Sequence, residues 1–179
     1  MKIREAKISY KTVGEIGSDL LDSSEADAEY MAGAFDDRPF QEAIWVIGLN
    51  RKNRPLGRHL LAIGSDGAAL LPLKYMYKTL LLMDASAFIL VHNHPSGDPT
   101  PSRDDFYLTQ KIIRSAQILT FDFLDHIIIG DKSLDPAGAG WSSWSAEPQK
   151  WNDAVKPVEP AAPGNSRRVA SRQVVPFSS

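Results

Sequence analysis

The run AFILVHNHPSGDPTPSRDD, Ala87 to Asp105, decides how the rest of the chain is read. Ala87 to Val91 is a short, unbroken apolar run, the pattern of a strand buried on both faces. Pro95, Gly97, Pro99 and Pro101 then make a stiffened loop. Ser102, with an acidic residue three positions on, opens a helix predicted to run to about Gln117. Its inward stripe is Phe106, Thr109, Ile113 and Ala116, widened by Leu108 and Ile112. His92 and His94 stand two apart at the strand end, so both imidazoles face one side. The loop turns the first helical turn back toward them and brings Asp105 near. Two imidazoles and a carboxylate suit zinc, and three protein ligands leave a position for water, as in catalytic sites. A bare H-x-H pair is a weak signal, and Asp105 also reads as nothing more than the capping partner of Ser102. The Ser102 hydroxyl can serve both readings, capping the helix while facing the site. The combination of strand-end histidines, stiff loop and capped helix raises the metal reading.

Working outward, Pro72 fits the first position of a helix continuing to about Met83. Ala43 to Leu49 and Leu56 to Ile63 read as a hairpin across a turn at Asn50 to Pro55. Gly64 to Gly67 is loop. Farther upstream, Ser23-Ser24 caps a short helix to Ala34, which Asp36-Asp37-Arg38-Pro39 breaks, and Ala6 to Tyr10 is a weak strand. Downstream, Phe121 to Ile129 is a last strand closed by Gly130-Asp131. The expected fold is an α/β domain, a mixed β-sheet flanked by helices. The expected organisation is an N-terminal strand and helix extension over 1–39, the main domain over 40–145, and a flexible C-terminal tail over 146–179. That tail is proline-rich and aperiodic, and carries Arg167, Arg168 and Arg172.

Other residues take plainer readings. Asp104 faces away from Asp105, and Asp98 is a solvated loop residue. Asp125 and His126 are strand neighbours on opposite faces, so Asp125 does not orient His126, and a structural role is expected there. His59 is structural. Trp141, Trp144 and Trp151 pack the chain end onto the sheet rather than line a peptide groove.

Composition sets the outer limits. The 179 residues allow one domain and an appendage, with 43% hydrophobic and 23% charged residues. Without cysteine, disulfide scaffolds, Cys-type zinc fingers, iron–sulfur clusters and thiol nucleophiles are excluded. A net charge of −2 lacks the basic excess of a dedicated nucleic-acid binder. No apolar run reaches the ~20 residues of a membrane helix, and Met1 to Glu5 lacks the apolar stretch of a secretory signal. A cytoplasmic protein with no membrane partner is expected.

H-x-H, seven residues, then S-x-x-D resembles the JAMM motif of the JAB/MPN+ metalloproteases. The longer string HNHPSGDPTPSRDD is similar to the signature of the RadC-like branch of that family. FQEAIWVIGLNRKNRPLG, Phe40 to Gly57, and LDHIIIGDKSL, Leu124 to Leu134, resemble its glutamate-strand-turn and closing-strand segments. The likeness covers about residues 40 to 135. It implies a cytidine-deaminase-like α-β-α layout and a Zn²⁺ ion held by His92, His94 and Asp105. It further implies Ser102 as the hydroxyl that helps hold a tetrahedral oxyanion, and Glu42 as general base. By position alone, Glu42 is an ordinary charge before a strand. The implied activity is zinc-dependent cleavage of a peptide or isopeptide bond in a protein or peptide substrate. Two alternatives stay open: a DNA-repair or DNA-processing factor, as the branch's label suggests, and a non-catalytic MPN scaffold. The tail arginines are the only local support for DNA as a partner. Two departures stand out. Pro72-Leu73 replaces the Pro-Arg pair of RadC-like proteins, and only about 40 residues precede Glu42, too few for their helix-hairpin-helix-like module.

Overall fold

The computed structural model describes residues 9–15, 20–64, 71–147, 149 and 152. Its elements in order are α1 (Ser24–Tyr30), β1 (Ala43–Leu49), β2 (Pro55–Ile63), α2 (Leu73–Leu82), β3 (Ala87–Asn93), α3 (Arg103–Leu119), β4 (Asp122–Ile129) and β5 (Trp141–Ser143). The five strands form one mixed sheet in the order β2-β1-β3-β4-β5. β1 pairs antiparallel with both β2 and β3, β3 runs parallel to β4, and β5 returns antiparallel on β4. Parallel neighbours need a crossover, and α3 supplies it. The stiff loop Pro95–Pro101 is therefore the link between the centre of the sheet and its crossover helix.

Strand alternation sorts the core into two layers. Ile44, Val46, Phe88 and Leu90 point to one face, where Met76, Tyr77 and Leu80 of α2 and Ile112 and Ala116 of α3 cover them. Ile47, Leu49, Ile89 and Val91 point to the other, packed with Leu21, Met31 and Ile127 beneath α1. All seven residues of β3 are buried, as its unbroken apolar run requires. Each of its large side chains contributes ~1.5–3 kcal/mol by leaving water.

Several boundaries differ from the expectations. β3 continues through His92 and Asn93, because β1 and β4 go on pairing there: His92 faces Ile44 on one side and Ile128 on the other. α1 stops at Tyr30, four residues early, and single turns follow it through Ala34. Pro72 is the N-cap of α2 rather than its first residue, and α3 runs on to Leu119, where Thr120 closes it in a left-handed conformation. β5 has no periodic signal at three residues and was not expected. Ser9 and Tyr10 are not strand; Ala6 to Ile8 lie outside the described residues, as does almost all of the chain beyond Glu147, including Trp151 and the arginine tail. Trp144 is 1% exposed and packs with Ile113 and Phe106, and Trp141 is half-buried against the α1 layer. Among the described residues, no helix is long and apolar enough to cross a membrane.

Candidate metal centre

The centre lies at the carboxyl end of β3, where the sheet changes from antiparallel to parallel pairing. His92 is the sixth residue of that strand and shares the α3-facing side with Phe88 and Leu90. His94 is the first residue after it, anchored because its backbone N–H donates to the Ile129 carbonyl (2.9 Å) at the end of β4. The β4–β5 connection clamps the motif loop from the other side. Asp131 N–H donates to the Gly97 carbonyl (2.6 Å), and Ser142 Oγ donates to the Pro99 carbonyl (2.6 Å). Gly97 takes φ +84°, a turn that favours glycine.

The loop delivers the first turn of α3 to the histidines. Ser102 is its N-cap: its Oγ accepts from Asp105 N–H (3.2 Å), and the Asp105 carboxylate accepts from Ser102 N–H (2.7 Å) and from the Ser102 hydroxyl. This capping box fixes the carboxylate as well as the helix start. Asp105 Oδ1 faces His92 Nε2 at 3.1 Å, and Oδ2 faces His94 Nε2 at 3.4 Å. The two Nε2 atoms are 3.1 Å apart. His94 Nδ1 lies 2.8 Å from the Asp98 carbonyl, which can only accept, so the neutral ring carries its proton there and turns the Nε2 lone pair inward.

These distances provide a test of fit. A tetrahedral ion with bonds of about 2.0–2.2 Å sets its ligand atoms roughly 3.3–3.6 Å apart. The two Nε2 atoms, 3.1 Å apart, stand slightly inside that spacing, and the carboxylate offers a different oxygen to each ring, at 3.1 and 3.4 Å, so a small adjustment would seat an ion. His92, His94 and Asp105 could therefore hold a metal ion among themselves. The site is closed on the core side, with His92 1% and Asp105 7% exposed, and open where Ser102 meets solvent.

The local field is anionic. Burial opposes ionisation of Asp105, but hydrogen bonds from His92, His94 and Ser102 win and hold its carboxyl well below the usual range. Burial draws the His94 imidazole down; bonding to Asp105 and the Asp98 carbonyl, with the charges of Asp105 and Glu42, more than offsets it, and the net shift is upward.

Glu42 directly precedes β1. The antiparallel register pairs Ile44 with His92, and continuing it by two residues sets Glu42 opposite His94. Its charge reaches the His94 ring. Asn93 secures the backbone on both sides of it. Its Oδ1 accepts from Ala43 N–H (2.8 Å), and its Nδ2 donates to the Gln41 carbonyl (3.1 Å), while the Glu42 carbonyl accepts from Gly64 N–H (2.7 Å). Asp104 is exposed, in line with the plain reading. Asp98 takes part through its backbone carbonyl, while its carboxylate accepts from Thr100 N–H. His59, on the edge strand β2, bonds Tyr75 of α2 (2.8 Å). A groove of about 900 Å³ beside β2, walled by Tyr10, Gly57, Tyr75 and Met83, contains none of the candidate ligands.

Three residues to which the sequence reading gave no part in the centre adjoin it. Asn93 is one. His126 and Thr109 are the others, both 0% exposed, with His126 Nε2 2.9 Å from His92 Nδ1. Burial pushes the His126 pKa well below the histidine value, and the charge of His92 adds to this, so the ring is neutral. The strand-face argument was right for Asp125, whose carboxylate accepts from Ser24, Ser143 and Ser145 on the opposite side. It also led to a structural role for one of the pair; His126 stands directly behind a candidate ligand. The usable signal was a histidine and a threonine on faces predicted to point inward, where a polar group needs a partner.

Comparison with known proteins agrees with this geometry. A family model described as RadC-like JAB domain matches residues 21–138. A UPF0758 protein of Desulforamulus reducens is 47% identical over 94 residues, covering 52% of this chain and 41% of its own length. The UPF0758 protein of Bacillus licheniformis is 44% identical over 94 residues (52% and 42%), and that of a Geobacillus species 37% identical over 133 residues (73% and 55%). The chain thus spans about half the length, or somewhat less, of these curated relatives. With its mixed sheet, crossover helix and matched sequence, the chain belongs to the RadC-like JAB domain family.

Proposed function

We propose that this domain is a zinc-dependent hydrolase that cleaves an amide bond, of the peptide or isopeptide kind. The observation that carries the reading is the convergence of one ligand atom each from His92, His94 and Asp105 within 4.8 Å of one another, with the two Nε2 atoms 3.1 Å apart. Neutral imidazole and carboxylate suit zinc, and three protein ligands leave a place for water. A zinc ion held by His92, His94 and Asp105 would polarise that water and bring its pKa toward neutrality.

The chain's own groups divide the remaining work. Glu42, held across from His94, takes the proton of the attacking water and passes it to the leaving amine, a task for a carboxylate beside the reacting atoms. Ser102 holds Asp105 through both its backbone N–H and its hydroxyl, and the N–H alone keeps that hold when the hydroxyl turns to the substrate's developing oxyanion. Asp98, through its carbonyl, keeps the His94 proton on Nδ1 and its lone pair inward.

The test combines metal analysis with turnover. Zinc should be near-stoichiometric in purified protein, and a quenched-fluorescent peptide library should yield a cleaved sequence. Glu42→Gln should retain zinc while cleavage falls by about 10²–10⁴-fold. Loss of zinc from that variant would make Glu42 a ligand and refute the role assigned to it. Absence of turnover together with DNA affinity that drops steeply with salt would favour the DNA-processing alternative.

A further inference from the structure

Behind the candidate ligands runs a chain of buried polar groups that core packing alone does not explain. His92 Nδ1 lies 2.9 Å from His126 Nε2, His126 Nδ1 lies 2.7 Å from Thr109 Oγ1, and Thr109 Oγ1 lies 2.7 Å from the Asp105 carbonyl oxygen. The three residues come from β3, β4 and the second turn of α3, and each is 0–1% exposed. The chain leaves one candidate ligand and returns to the backbone of another.

Its direction follows from one hydroxyl. The Asp105 carbonyl can only accept, so the single Thr109 proton goes to it. Thr109 can then only accept from His126, which places the His126 proton on Nδ1. A neutral imidazole carries one proton, and both His126 nitrogens are already matched, Nδ1 by Thr109 and Nε2 by His92, inside a fully buried site. His126 Nε2 is therefore an acceptor, and His92 must donate from Nδ1. The His92 Nε2 lone pair is left facing Asp105 and His94.

We propose that Thr109 and His126 are positioning residues whose directed hydrogen-bond chain, starting at the Asp105 carbonyl, holds His92 in the Nδ1–H tautomer with Nε2 aimed at the metal position. The inference rests on the metal reading above and deepens it. His94 is oriented by a surface loop carbonyl, whereas His92 is oriented by the core, so the helix that presents Asp105 also sets the ring of His92. Partners of this kind are commonly worth 10–100-fold in metal affinity.

The test measures zinc affinity of the full chain by competition with a chromophoric chelator. His126→Phe keeps an aromatic ring but removes both bonds, and should weaken zinc binding by about 10–100-fold. Thr109→Val keeps the shape, removes the directing hydroxyl, and should weaken binding by a smaller factor. Because Thr109 acts through His126, the double variant should bind no more weakly than His126→Phe alone; independent packing defects would add. His126→Gln, whose Oε1 can accept from His92 Nδ1–H near the position of the lost Nε2, should restore much of the affinity. It also carries the test, with Thr109→Val, if His126→Phe does not fold. In zinc-free protein at pH 8, ¹⁵N shifts should show His92 as one tautomer in the wild type and as a mixture in Thr109→Val. Wild-type affinity and a single tautomer in Thr109→Val, an affinity in His126→Gln no higher than in His126→Phe, or full additivity in the double variant, overturns the inference. If His94→Ala also keeps its zinc, the metal reading itself has failed.

Discussion

Replacing Asp27 with Asn should change how the stability of the domain depends on pH. Asp27 sits in α1 facing the sheet, 5% exposed, and its Oδ1 is buried without a hydrogen-bond partner. Burial, then the nearby charges of Asp125 and Asp22, push its pKa from 3.8 up to about 7. The folded value lies above the unfolded one, so between the two the folded state keeps a proton that the unfolded state has released. Stability from this group therefore falls as pH rises from about 4 to about 7, and stays low above that. A shift of roughly three units at 1.36 kcal/mol each sets a ceiling of about 4 kcal/mol. Local rearrangement around the ionised group lowers this to about 2–4 kcal/mol, or roughly 5–15 °C in thermal midpoint for a domain of this size. Asn keeps the shape and cannot ionise. Circular-dichroism melts of metal-free wild type and Asp27→Asn between pH 4 and 8.5 give a difference curve in which the shared histidine contributions largely cancel. The gap should be small at pH 4 and widen in favour of the variant up to about pH 7.5. A pH-independent gap, or one that narrows as pH rises, would refute the reasoning.

Other substitutions test the centre and its supports. His94→Ala should lose most bound zinc while the fold persists, read by metal analysis and far-ultraviolet dichroism. Asn93→Ala strips partners from the Gln41 carbonyl and Ala43 N–H, and should cost about 2–3 kcal/mol in denaturant unfolding. A cost near zero would mean that water replaces both bonds. Gly130→Ala would place a methyl group 2.8–2.9 Å from Pro99 and closer still to the Gly97 carbonyl. It should lower both thermal stability and zinc affinity, because that loop carries the carbonyl that orients His94. Ser102→Ala removes a helix cap worth about 1 kcal/mol and one of the two bonds that Ser102 makes to the Asp105 carboxylate, so both stability and zinc affinity should fall modestly.

The run from Ala87 to Asp105 was legible unaided because each of its signals is local. An unbroken apolar run, a proline-stiffened loop and a Ser–Asp capping box depend on residues within a few positions of one another. Strand period alone was enough to put His92 and His94 on one side, and the alternation of elements was enough for a mixed α/β sheet. Beyond that reach the sequence was silent. No spacing rule ties Glu42 to residues fifty positions downstream; the β1–β3 register does. Asn93 reads as a spacer between two histidines until the sheet closes around it, and only then do its amide atoms meet Gln41 and Ala43. Thr109 and His126 read as part of a helix stripe and a strand. The crossover brings α3 onto β4, and burial without water then obliges each polar group to find its partner in the protein. Local chemistry thus determined which residues could ligate a metal. Tertiary packing decided how the candidate ligands are aimed, because orientation is set by contacts between segments far apart in the chain.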